Sequence, residues 1–119
     1  MDCPKCPEGA LVALTVDEVE VDRCPTCEGI FFDRAELGEL LDRDAERVAP
    51  ILGGSDDEDR NARTARCPRD DQPMMRVTSL RNREVTVDSC AVCQGVWLDG
   101  GEFARIKLAQ PKIRLGDLI

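Results

Sequence analysis

The residues best placed to do chemistry in this 119-residue chain are its seven cysteines. Six stand as pairs two residues apart: Cys3-Pro-Lys-Cys6, Cys24-Pro-Thr-Cys27 and Cys90-Ala-Val-Cys93. The seventh, Cys67, opens Cys67-Pro-Arg-Asp70. Two cysteines at this spacing form a knuckle whose sulfurs point to one side. Two facing knuckles place four sulfurs in a tetrahedron, the geometry that Zn²⁺ accepts at about 2.3 Å per bond. Seventeen residues separate Cys6 from Cys24, within the window for a four-cysteine zinc site. The alternatives are two redox-active dithiols or bare core cysteines. A thioredoxin-type dithiol would open a helix of a βαβ unit, whereas here a third strand is expected between the knuckle and the helix.

The second set differs at one position. Asp70 stands where a fourth cysteine would be. A carboxylate oxygen can bind zinc at about 2.0–2.2 Å, so Cys67, Asp70, Cys90 and Cys93 form a candidate closed site. Asp71 is a second carboxylate, one residue out of register. The other alternative is a solvated Asp70, with the site three-coordinate or lost. A hard oxygen in place of a soft sulfur makes this the weaker and more exchangeable of the two sites.

Both sets belong to an internal duplication. Cys24–Leu37 reads CPTCEGIFFDRAEL and returns at Cys90–Phe103 as CAVCQGVWLDGGEF. Phe31 answers to Trp97, Gly29 to Gly95, Asp33 to Asp99 and Glu36 to Glu102, all 66 positions apart. Such self-similarity reads as two copies of one unit. The expected division is 1–50 for the first unit, 51–66 for a flexible linker, and 67–119 for the second unit and a tail. Each unit is too small for burial alone to hold its fold, and aromatics amount to three Phe and one Trp.

The elements that must position the knuckles follow from pattern. Leu11–Val16 and Val19–Arg23 read as a hairpin turning at Asp17-Glu18, with a third strand at Ile30–Phe32. Asp33 with Glu36 predicts a capping box, and Leu37, Leu40, Leu41, Ala45 and Val48 predict a helix over 34–49, stopped at Pro50. In the second unit, strands are expected over 74–80, 83–88 and 96–98, with a turn at Arg81-Asn82. Asp99 and Glu102 form the second capping box, opening a helix over 100–109. Phe31, Phe32, Trp97 and Leu98 are expected to form the core under the helix. Ile113, Leu115, Leu118 and Ile119 in the tail are expected to pack on the ribbon or on a partner.

Composition narrows the function classes. Met1 is followed at once by Asp2, Cys3 and Pro4 rather than by a basic segment and an apolar run. With no membrane-length apolar stretch, a cytoplasmic protein is expected. In a reducing compartment paired cysteines favour metal over structural disulfides. The net charge is −8, with six basic and seventeen acidic side chains in residues 1–60 against ten and seven in the rest. An acidic whole is not what a general nucleic-acid binder looks like. Arg76, Arg81 and Arg83, with Arg105, make the local basic cluster on which any nucleic-acid reading rests. The chain has no histidine, and its repeated Asp and Glu are accounted for as helix caps, so no acid–base constellation supports an enzyme.

CPKC, VEVDRCPTCEGIFFDRAEL, CPRD and VTVDSCAVCQGVWLDGGEF together resemble the transcription-factor-IIB-type zinc ribbon family found in small bacterial proteins. The resemblance implies a small metal-stabilised α+β fold. Each copy would be a three-stranded antiparallel sheet followed by a helix. It implies structural zinc on Cys3, Cys6, Cys24 and Cys27, and on Cys67, Cys90 and Cys93 in the second copy, where Asp70 departs from the all-cysteine pattern. The expected function is a non-enzymatic zinc-binding adaptor with two Zn²⁺ per chain and a protein partner, related to transcription, with no membrane and no small-molecule substrate. The alternatives are nucleic-acid binding through Arg76, Arg81 and Arg83, and a redox- or zinc-responsive switch at the Cys67–Asp70–Cys90–Cys93 site.

Overall fold

The computed structural model describes residues 1–108 except Glu8, Arg34 and Asp56. The tail from 109 onward, with its four expected apolar contacts, lies outside the described residues.

Turn chemistry sets the first hairpin. Asp17 and Glu18 sit at φ 46° and 69°, the left-handed pair that a two-residue turn demands and that matches strand twist. The turn joins β1 (Val12–Val16) to β2 (Val19–Arg23), with Val16 opposite Val19. β3 (Ile30–Phe32) then pairs antiparallel with β2. The second copy repeats this with β4 (Met75–Thr78), β5 (Thr86–Ser89) and β6 (Val96–Leu98). Here the hairpin strands are shorter than expected, because side chains claim the turn's backbone. Ser79 Oγ accepts from the Arg81 and Asn82 amides, and Asn82 Oδ1 accepts from Glu84 N–H. These bonds compete with ladder pairing and lengthen the loop.

The two copies do not stand apart. β3 pairs antiparallel with β6, matching Ile30 to Leu98, Phe31 to Trp97 and Phe32 to Val96. Phe31 and Trp97 are equivalent residues, so the pairing is self-complementary about a local two-fold axis, as in an isologous dimer. The result is one six-stranded sheet in the order β1-β2-β3-β6-β5-β4.

Strand alternation divides the core between two faces. One face carries Val21, Ile30, Phe32, Val87 and Leu98 against the helices. The other carries Phe31 and Trp97 against the cysteine knuckles. The expectation that all four of Phe31, Phe32, Trp97 and Leu98 lie under the helix therefore holds for Phe32 and Leu98 only. Phe32 stacks on Phe103 with ring centroids 5.8 Å apart.

The helices are shorter than their patterns suggest. α1 spans Glu36–Leu41 and ends at Asp42, not near residue 49. Its last turn holds no basic residue, and Asp42 and Asp44 place negative charge at the negative end of the dipole. The chain beyond turns through tighter bonds, Arg43 N–H to Leu40 O at 3.2 Å and Arg47 N–H to Asp44 O at 3.0 Å. Arg43 also pairs with Asp17 at the hairpin tip at 2.9 Å. This bend, completed by a 3-10 turn at Ala49–Ile51, buries Val48 and Ile51 against the sheet.

The segment 51–66, expected as a flexible linker, carries structure of its own. Asp57 caps a short helix α2 (Glu58–Ala62) by accepting from Arg60 N–H. Ala65 is buried among the knuckles. α3 spans Glu102–Lys107, and Phe103 and Ile106 face the core.

Both capping boxes are half-formed. Glu36 Oε1 accepts from Asp33 N–H at 2.6 Å, and Glu102 Oε1 from Asp99 N–H at 2.7 Å. The N-cap positions fall on Ala35 and Gly101, and the aspartate carboxylates turn elsewhere, Asp33 to Arg69 and Asp99 to Trp97 and Lys5. Glu102 is buried, and burial pushes its carboxyl up to about 7 against the opposing bond from the Asp99 amide. A carboxyl with a raised folded-state pKa stabilises most below its unfolded value, and that contribution is lost as pH rises through about 7. Glu102→Gln keeps the acceptor and removes the charge. In zinc-saturated protein the variant should therefore gain on wild type as pH rises from about 6 to 8, by on the order of 1–3 kcal/mol. A constant difference in unfolding free energy across that range would count against the assignment.

Candidate metal centres

Four short loops build the two centres. The first knuckle of each copy is closed by an isolated antiparallel bridge, Asp2 with Ala10 and Arg66 with Pro73. The second knuckle of each copy leads into the central strand. There Glu28 and Gln94 adopt φ 64° and 63°, which turns the chain back so that Cys24 and Cys90 N–H reach Gly29 and Gly95 O at 2.9 Å.

The hairpins bring the knuckles face to face. Cys3, Cys6, Cys24 and Cys27 form one group, and Cys67, Asp70, Cys90 and Cys93 the other. Within each group all the donor atoms lie within 4.8 Å of one another. Cys3 and Cys27 Sγ stand 3.7 Å apart, and Cys67 and Cys93 Sγ 3.6 Å. A tetrahedron with zinc–sulfur bonds of about 2.3 Å has an edge of about 3.8 Å, whereas a disulfide would need about 2.05 Å. Asp70 Oδ1 lies 3.5 Å from Cys90 Sγ and Oδ2 3.2 Å, close to the sulfur–oxygen edge of about 3.5 Å from the same bond lengths. Both sets fit zinc.

Asp71 is placed otherwise. Its backbone takes the left-handed exit position at φ 59°, and its carboxylate is exposed and paired with Arg66 at 3.1 Å. Asp70 is thus the carboxylate brought to the cysteines. Native mass spectrometry should find two zincs per chain in wild type and one in Asp70→Ala. Two zincs retained by the variant would show that another oxygen completes the site.

The donor sets prefer metal to protons. Amide N–H groups point at sulfur, with Cys6 N 3.3 Å from Cys3 Sγ and Cys93 N 3.5 Å from Cys90 Sγ, which favours thiolates. The bond from Cys3 pulls the Cys27 thiol down, and the same pair pushes Cys3 up. Burial raises Cys6 to about 11 and Cys67 to about 12. Four crowded sulfurs cannot all ionise by themselves, so a bound cation displaces the remaining protons and makes affinity pH-dependent. Burial pushes the Asp70 carboxyl up, but its bonds with the Cys90 thiol and the Gln72 amide outweigh this and hold it below the ordinary range.

Around the centres lies a buried polar group that sequence reasoning missed. The Lys5 ammonium, between the first two cysteines, is fully buried and pairs with Asp99 Oδ2 at 3.1 Å and Asp88 Oδ2 at 3.4 Å. It also donates to Arg60 O and Arg63 O at the end of α2, at 2.9 and 2.8 Å. Asp99 Oδ1 in turn accepts from Trp97 Nε1 at 3.0 Å. The equivalent pair in the other direction is Arg69 with Asp33, and Arg69 lies 5.5 Å over the Phe31 ring. The repeat carried a signal for this: both first knuckles hold a basic residue before their last ligand, and Asp follows both central strands directly.

The arginines of the basic cluster are held differently from one another. Arg76 spends its guanidinium on Arg63 O and Asn61 O, at 3.0 and 2.6 Å, and faces Asp88 at 3.5 Å. Arg81 and Arg83 are exposed on the hairpin loop. Asn82 Nδ2 donates to Arg105 O, which ties that loop to α3.

The fold and its two closed donor sets define a tandem zinc ribbon. The comparison with protein families agrees. The transcription factor zinc-finger family, the TFIIB-type zinc ribbon, matches residues 2–43 and 66–109. The chain belongs to that family. Searches of curated proteins and of solved structures found no match to the chain. Among the described residues no helix is long and apolar enough to cross a membrane.

Proposed function

We propose that this zinc-binding chain is a non-enzymatic, cytoplasmic adaptor that docks on a protein partner of the transcription apparatus. The observation that carries the reading is the closure of both donor sets. Each brings four donor atoms together, the arrangement of structural rather than catalytic zinc, which keeps a position open. The carboxylates of Asp88, Asp99 and Asp33 are engaged by Lys5 and Arg69 between the copies. When bound, zinc ties knuckles that are distant in sequence and so supplies folding energy.

The sheet ends support docking. Among the described residues β1 and β4 each pair on one side only, and Val12, Met75 and Val77 are exposed along them. Unpaired edges with apolar side chains suit main-chain pairing to a partner segment. The family's description supplies the transcription context. Site-specific photo-crosslinking from Met75 in living cells should give a discrete protein adduct, with no crosslink to nucleic acid. A gel shift with DNA or RNA that weakens steeply with salt, and is lost in Arg81→Ala/Arg83→Ala, would move nucleic acid to the front.

One observation favours a second reading, a redox- or zinc-responsive switch. The second centre has two half-buried donors, Asp70 and Cys93, against Cys6 alone in the first. Hydrogen peroxide would take two electrons from the Cys67 and Cys93 thiolates, forming one disulfide and two waters with two protons and releasing zinc. Zinc lost from the second centre well before the first supports this; equal loss removes it.

A further inference from the structure

We infer that the two zinc centres are energetically coupled, so that loading either one raises the zinc affinity of the other. The contacts responsible cross between the copies in both directions. Gly29 follows Cys27 by two residues, and a Cβ there would collide with the Trp97 ring of the other copy. Gly95 follows Cys93 by two residues, and a Cβ there would collide with the Phe31 ring. Each aromatic is fully buried. Each second knuckle is therefore the floor on which the other copy's central aromatic rests. Neither glycine needs a left-handed backbone, so what requires glycine is the neighbour's ring.

The first knuckles cross in the same way. Lys5, between Cys3 and Cys6, reaches Asp88 and Asp99 of the second copy. Arg69, between Cys67 and Asp70, reaches Asp33 and the Phe31 ring of the first. All four knuckles thus touch the opposite copy's central or neighbouring strand. Zinc that orders one pair of knuckles fixes the surface against which the other copy's central strand packs. That strand leads out of the other centre's second knuckle, so ordering it lowers the cost of assembling the second tetrahedron. Coupling between sites is reciprocal by thermodynamic necessity.

The test is a chelator-competition zinc titration of three full-length chains: wild type, Cys67→Ser/Cys93→Ser, and Cys6→Ser/Cys27→Ser. The wild-type two-site association constant should exceed the product of the two single-site constants by about tenfold, within the roughly 5–150-fold span of site–site coupling. Hydrogen exchange is the second readout. In Cys67→Ser/Cys93→Ser with zinc on the first centre, the amides of Ile30–Phe32 should lose protection although no residue of their own copy has changed. A product equal to the two-site constant, or unchanged exchange at these amides, overturns the inference.

Discussion

Chelation of zinc should unfold the whole chain. Each ribbon has a core too small to fold by burial alone, and structural zinc in modules of this size contributes an apparent binding free energy on the order of 10 kcal/mol or more. That exceeds the entire stability of an ordinary domain of about 5–15 kcal/mol once both centres are emptied. The reporter is built in. Trp97 is the one tryptophan, it is fully buried, and it packs in the same cluster as Cys3, Cys24, Cys67 and Cys90. Excess chelator should shift its emission to that of a hydrated indole and remove the far-ultraviolet sheet signal together, and zinc should restore both. Retention of native emission and sheet signal in chain shown to be metal-free would refute the structural role of the metal.

Lys5→Met should be the most damaging substitution away from the ligands. The ammonium and both its carboxylates are almost entirely out of water, at 0% and 1% side-chain exposure. Burial already raises the Asp88 carboxyl, with Lys5 opposing and Asp99 adding to the rise. Removing the cation leaves two buried like charges, and breaking a buried pair from one side costs about 3–5 kcal/mol. Denaturation of zinc-loaded protein at neutral pH should show a loss of that size. Lys5→Met/Asp88→Asn should recover part of it by removing one orphaned charge. Arg69→Met, in the equivalent pair, should cost no more than about 1 kcal/mol, because that pair is 43% and 40% exposed. A small loss for Lys5→Met, equal to that of Arg69→Met, would mean that water reaches the Lys5 group.

The contrast between these two pairs comes from the segment between the copies. α2 lays its terminal carbonyls on Lys5, and Arg76 fastens the same segment to the second copy through Asn61 O and Arg63 O. One copy's crossing ion pair is sealed, and the other's is left at the surface. The duplication keeps the four ligand positions, with Asp70 where the first copy has Cys6, but not their solvent exposure. The weaker donor set, with Asp70, therefore also carries the more exposed crossing pair.

Much of the site was legible in the residues themselves. Ligand spacing, the hairpin turn at Asp17-Glu18, the three short strands of each copy and the glutamates that reach back to Asp33 and Asp99 are all local. A knuckle needs two cysteines and a turn, and a hairpin needs alternation and a tight turn. The sequence by itself thus determined two zinc ribbons and named their eight donors. What it could not show was the partner of each local feature. The helix pattern ran on to Val48, but burial of Val48 and Ile51 and the pull of Asp17 on Arg43 ended α1 at Leu41. The segment from Ile51 to Arg66 has no apolar period, yet it is held by a lysine 55 and 58 residues away in sequence.

Only the tertiary structure decided that the copies share one sheet. The pairing of β3 with β6 turns Phe31 and Trp97 toward the opposite knuckles and gives Asp33 and Asp99 cations rather than helix ends to serve. The physical reason is that each copy's central aromatic packs over the other copy's glycine, and each copy's aspartate meets a cation from the other, across the two-fold axis. Their spacing within a copy records that they recur together, while the contacts that explain the recurrence run between the copies.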